Sequence, residues 1–150
     1  MLVRVTAFLY GVFSYVAFLA SFLYAVGFLG NFGVPKSIDS GPQMPLGYAL
    51  AINLALLGLF AVQHSVMARP WFKSVWECVV PPVVERSTYV LFSSLALLLL
   101  FWKWEPMGGV VWSVDKLYGR GVITALYAMG WLVVLIATFQ INHFDLFGLR

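Results

Sequence analysis

Two histidines, His64 and His143, are the side chains best suited to chemistry near neutral pH. Each follows a glutamine, immediately in FAVQHSVMARP and three residues later in TFQINHFDLFG. Histidine suits three tasks here: general base, hydrogen bonding to a substrate, or ligation of a metal or haem. Two histidines alone are a poor zinc site, which takes three or four protein ligands, but they suffice for the two axial positions of a haem. A plainer alternative stays open, in which each histidine caps a helix C-terminus and answers its dipole. Cys78 is the only cysteine, so an internal disulfide and a Cys-rich metal site are excluded.

The elements that must position these residues are marked by where charge is missing. No Asp, Glu, Lys or Arg lies between Arg4 and Lys36, from Ser40 to Ala68, from Ser87 to Trp102 or from Gly121 to Phe144. A helix without a polar face is at home in lipid, and roughly 20 such residues cross a hydrocarbon core about 30 Å thick. The 150 residues are 62% hydrophobic and 10% charged, with mean hydropathy +0.92; soluble domains are about 25% charged. The expected fold is an all-α membrane protein, a single domain of four transmembrane helices over residues 6–29, 46–67, 88–102 and 121–141. The net charge of +3 comes from basic residues placed singly at segment ends, as head-group anchors rather than a nucleic-acid surface.

Within the first helix Ala17, Ser21 and Ala25 recur every four residues, a face that lets another helix come close. Its single leading charge, Arg4, and its length mark a retained helix rather than a cleaved signal peptide. The loop GNFGVPKSIDSGPQMPLG is too rich in Pro and Gly for a long helix, and a loop of that length is either functional or a plain connection. Asn53, midway along the second helix, calls for an interhelical hydrogen bond. Over residues 70–79, Trp71, Phe72, Val75, Trp76 and Val79 share one face and Lys73 and Glu77 another, the pattern of an amphipathic helix lying in the interface, ended by Pro81 and Pro82. Ser87 or Thr88 then fits as the N-cap of the next membrane helix. Val110, Val111 and Trp112 form a second apolar patch able to dip into the interface.

An up-and-down bundle puts the C-terminal ends of the second and fourth membrane helices on one side, together with the N-terminal end of the third. His64, His143, Glu85 and Arg86, with Asp145, then share one membrane-depth layer. Ionisable groups at such depth are costly and point to function. Arg4, Arg69, Lys73, Arg86 and Arg150 would lie on the cytoplasmic side, against Lys36, Lys103, Lys116 and Arg120 outside, a slight bias toward both termini being cytoplasmic.

The segments FAVQHSVMARPWFK, VERSTYVLFSSLALLLLFWKWEPMGGVVW and NHFDLFGLR resemble the methanethiol S-methyltransferases, bacterial integral membrane proteins of the NnrU-like group that are distantly similar to isoprenylcysteine carboxyl methyltransferases. The resemblance covers nearly the whole chain. It implies methyl transfer from S-adenosylmethionine to a small thiol, giving a volatile thioether, and residence in the inner membrane. Another NnrU-like branch, the zeta-carotene isomerases, implies haem bound through histidines. Members of the family are longer, and their second half carries an Arg-His-Pro segment and a Glu-Glu pair that resemble an adenosylmethionine site. Neither occurs here. The chain therefore resembles the N-terminal half of such an enzyme, as part of a longer protein or as a short relative.

Two functions compete. In the first, the protein is a thiol methyltransferase in which His64 or His143 accepts the thiol proton and Arg86 stabilises the thiolate. In the second, it is a non-catalytic accessory subunit packing its helices against other membrane subunits.

Overall fold

The computed structural model describes residues 2–110 and 112–140. Five helices follow one another: α1 (Leu2–Gly30), α2 (Leu46–Met67), the short α3 (Pro70–Trp76), α4 (Pro82–Lys103) and α5 (Leu117–Gln140). There is no strand among the described residues. Four of the helices are long and apolar enough to cross a membrane, and α3 is the short fifth. The protein is an integral membrane protein with an all-α fold.

The organising seam joins α1 to α4. Gly11, Ser14, Ser21, Ala25 and Phe28 are buried along α1, and Ser87, Val90, Ser94 and Phe101 along α4. Both stripes advance by alternating steps of three and four residues, the spacing that keeps two helices in contact. The helices run parallel, since Tyr10 meets Thr88 at one end and Phe28 meets Phe101 at the other. Small side chains permit the approach, because packing must hold helices together where lipid supplies no hydrophobic drive; of the expected face Ala17, Ser21 and Ala25, the last two are buried in the seam and Ala17 is half-buried beside it.

At the end near Trp104 the seam closes on rings. Phe28 and Phe101 lie 4.8 Å apart, Tyr24 stacks on Phe101 at 5.3 Å and Trp104 meets Phe28 edge-on at 6.0 Å. The loop after α1 is fastened to the same end. Asn31 takes a left-handed conformation (φ 56°), and the Phe32 amide bonds to the Gly27 carbonyl at 3.1 Å, the pairing that closes a helix C-terminus. A Cβ on Gly27 would come within 2.6 Å of the Phe32 carbonyl oxygen, so glycine is needed there. Tyr24 donates to the Lys36 carbonyl, Trp104 to the Ile38 carbonyl, and the Lys36 ammonium caps α4 at the Trp102 carbonyl. Asn53 holds the other loop by donating to the Glu105 carbonyl (2.8 Å) and accepting from its amide (3.0 Å).

Three expectations about boundaries change. Pro81 and Pro82 do not merely end the interfacial helix; Pro82 opens α4, where a missing amide proton costs nothing. Ser87 and Thr88 therefore lie inside α4, where the Thr88 hydroxyl bonds back to the Val84 carbonyl. The short α3 stops at Trp76, its apolar face divided: Phe72 and Trp76 stack at 5.5 Å and Trp76 meets Phe92 of α4 at 6.3 Å, while Trp71, Val75 and Val79 stay exposed.

Candidate functional site

His64 sits in the last turn of α2, where the antiparallel α2–α4 pair brings it against Tyr89 and Ser93. Tyr89 and Ser93 are four residues apart on α4 and so present one face to α2. The Tyr89 hydroxyl lies 2.9 Å from His64 Nδ1 and 3.1 Å from Nε2. Ser93 Oγ is 3.3 Å from Nδ1. Phe60, one turn earlier on α2, stacks on the imidazole with centroids 5.3 Å apart. Gln63 donates from Nε2 to Ser93 Oγ (3.3 Å) and to Met67 Sδ (3.1 Å). Its Oε1 is buried and has no partner among the described residues, an acceptor with unmet demand beside Ser93.

This cluster opens onto a cavity of about 340 Å³ whose walls include Phe18, Phe60, His64, Tyr89, Ser93 and Thr138. Two wall residues come from α1, two from α2, five from α4 and one from α5, so the site exists only when all four membrane helices are assembled. The polar atoms gather at one end of an otherwise apolar space. Such a space favours an uncharged molecule with a single hydrogen-bonding group.

The expected layer of ionisable groups is only partly assembled among the described residues. His143 and Asp145 lie outside them. Glu85 is one turn from Tyr89 on α4, but its carboxylate turns to α3, where Lys73 Nζ lies 3.5 Å away. Arg86 is exposed at the same end of α4. The polar groups that do meet the His64 ring are two hydroxyls, with Gln63 reaching one of them, and none is a carboxylate. Tyr89 and Ser93 escaped attention in the sequence, where they look like neutral residues of an apolar helix. Their four-residue spacing in line with Glu85 is the signal that marks them. No group of three or more His, Cys, Asp or Glu stands together among the described residues, so no protein-bound metal centre is seen there.

The chain is 56% identical to the methanethiol S-methyltransferase of Crocosphaera subtropica over 147 residues, which is 98% of this chain and 58% of that protein. By sequence the chain is similar to the methanethiol S-methyltransferases. That of Mycobacterium tuberculosis is 53% identical over 98% of this chain and 60% of its own length. Nurim of Mus musculus is more distant, 30% identical over 89% of this chain and 61% of that protein. The chain thus spans about 58% to 60% of these two methanethiol S-methyltransferases. No protein-family model matches it, and no solved structure does. The similarity to the methanethiol S-methyltransferases covers nearly all of the four-helix bundle in which the His64 cavity lies.

Proposed function

We propose that this chain is the thiol-binding, proton-accepting part of a membrane S-methyltransferase. The observation that carries it is His64, held by Tyr89 and Ser93 at the polar end of an apolar cavity, in a chain related over nearly its whole length to methanethiol S-methyltransferases. A thiol is a poor nucleophile until it loses its proton, and its ordinary pKa is about 8.5. A neutral thiol enters an apolar space readily, whereas a thiolate does not. Within reach of the imidazole the proton passes from sulfur to a ring nitrogen. The thiolate and imidazolium then sit side by side, and their attraction favours the charged pair over separated ions. For the imidazole to take the thiol proton, its one N–H donates to the Tyr89 hydroxyl oxygen, which leaves the lone pair of the other ring nitrogen for the thiol. His143 remains the second candidate base, with Glu85 and Arg86 as the charged border of the same end.

Methyl transfer of this kind uses S-adenosylmethionine, which supplies an electrophilic methyl group. The described residues do not fit it. The wall of the His64 cavity carries no carboxylate for the amino group or the sulfonium, and the cleft that holds Asp39 and Gln43 is at the opposite end of the bundle. The donor's place is therefore sought outside the described residues. Both termini are placed on the cytoplasmic side of a bacterial inner membrane, on the slight excess of basic residues at that end. Cys78, exposed beyond α3, tests this directly: an impermeant thiol reagent should label it in inside-out vesicles and spare it in intact cells, and the reverse pattern inverts the topology.

The test of function is headspace thioether production by membranes holding the protein in its natural full length. His64→Ala should lower turnover by about 10²-fold or more, the scale of losing a general base. Wild-type rates from His64→Ala and His143→Ala alike would end this reading and favour an accessory subunit.

A further inference from the structure

The cavity at His64 does not end at its own walls. Phe18, Ser21, Phe60 and Leu97 also line a second cavity of about 360 Å³ that continues along the bundle axis to Ile38 and Trp104. All four membrane helices contribute to it as well, α5 through Trp131 and Val134. Apart from Ser21, whose hydroxyl bonds to the Phe18 carbonyl, its lining is aliphatic and aromatic. At about 1.5 Å per residue, the α4 stretch from Tyr89 to Trp104 gives the two chambers a combined length of about 22 Å.

A thiol with a single carbon would leave nearly all of this space to other occupants. Each chamber alone lies in the range of about 300–1,000 Å³ occupied by much larger ligands. The polar groups stand at one end only. The shape therefore matches a molecule with one hydrogen-bonding head and a long uncharged tail.

We infer that the bundle holds a long-chain alkyl thiol, its sulfhydryl at His64 and its tail in the second chamber beneath Trp104, so that thiols well beyond methanethiol are bound by this site. The sulfhydryl's role at His64 rests on the function proposed above; the tail chamber rests on the cavity alone. An acyl chain of a membrane lipid has the same tail chemistry and is the competing source.

The test is photo-crosslinking of the protein in its natural full length, in nanodiscs, with an alkyl thiol bearing a diazirine near its tail end, mapped by mass spectrometry. The expected adducts fall on Phe22, Leu100 or Trp131, compete with unlabelled octanethiol and yield to methanethiol only at much higher concentration. Leu97→Trp, which narrows the neck shared by the chambers, should reduce them several-fold, while Leu54→Trp on the lipid-facing surface should leave them unchanged. Adducts confined to lipid-facing positions such as Leu54 and Val133, or interior adducts from a diazirine-tagged phosphatidylcholine that the thiol fails to displace, would overturn the inference. The wild-type map decides this even where a variant folds poorly. Crosslinking needs no methyl donor, so interior adducts without turnover would remove the methyl-transfer reading alone, and turnover without interior adducts would remove this inference alone.

Discussion

The two ends of the bundle are built from the same helices and differ in nearly every other respect. Near Trp104, rings interlock and both neighbouring loops are tied down by side chains that satisfy backbone groups. Near His64, the bonds run between side chains, one glutamine oxygen is unmet, and the histidine is exposed. The first arrangement fixes helices and the second fixes a ring. One end thus carries the stability of the fold, and the other is free to hold groups whose value is chemical.

Substitutions at the two ends should separate these roles. Phe101→Ala should have the largest effect on stability, a loss of about 3 kcal/mol, at the low end for a buried ring because lipid gives no hydrophobic drive between helices; unfolding in mixed micelles measures it. An unchanged midpoint would mean that the ring cluster is not what holds α1 to α4. Asn53→Leu leaves the Glu105 amide and carbonyl without partners, a loss of about 2 kcal/mol by the same measurement. Tyr89→Phe should do the opposite, leaving stability nearly untouched while lowering thiol turnover about five-fold, the equivalent of one hydrogen bond of about 1 kcal/mol. A destabilised but fully active Tyr89→Phe would erase the contrast between the ends. Lys73→Ala should matter least, about 0.5 kcal/mol, because its partner Glu85 is buried but Lys73 itself is 40% exposed.

The membrane helices were legible in the sequence because long charge-free runs have no polar face to turn to water and are stable as helices in lipid. The face of small residues on α1 was legible for a related reason, since Ser21 and Ala25 do in the bundle what their size allows. Local signals misled where one residue type serves two ends of a helix. Pro82 reads as the terminator of α3 and acts as the first residue of α4. Ser87 and Thr88 have the chemistry of caps, yet once α4 begins at Pro82 they fall within it and are buried. The loop after α1 gave no hint of its fastening, which depends on Lys36 and Ile38 meeting residues far along the chain. His64 could be singled out as a lone histidine in an apolar helix. Its partners Tyr89 and Ser93 could not, because the rotation of α4 against α2 decides which of several hydroxyls faces it.

The parallel seam between α1 and α4 bears on how the protein is made. During synthesis α1 enters the bilayer before α4, which emerges only after α2 and α3 have been translated. For that interval its buried serines lack the helix that covers them in the finished bundle. They need none, because Ser14 bonds to the Tyr10 carbonyl at 2.9 Å and Ser21 to the Phe18 carbonyl at 2.9 Å, both within α1 itself. α1 can wait for α4 in lipid with these hydroxyls already satisfied, and pairing then proceeds without breaking a bond to do so.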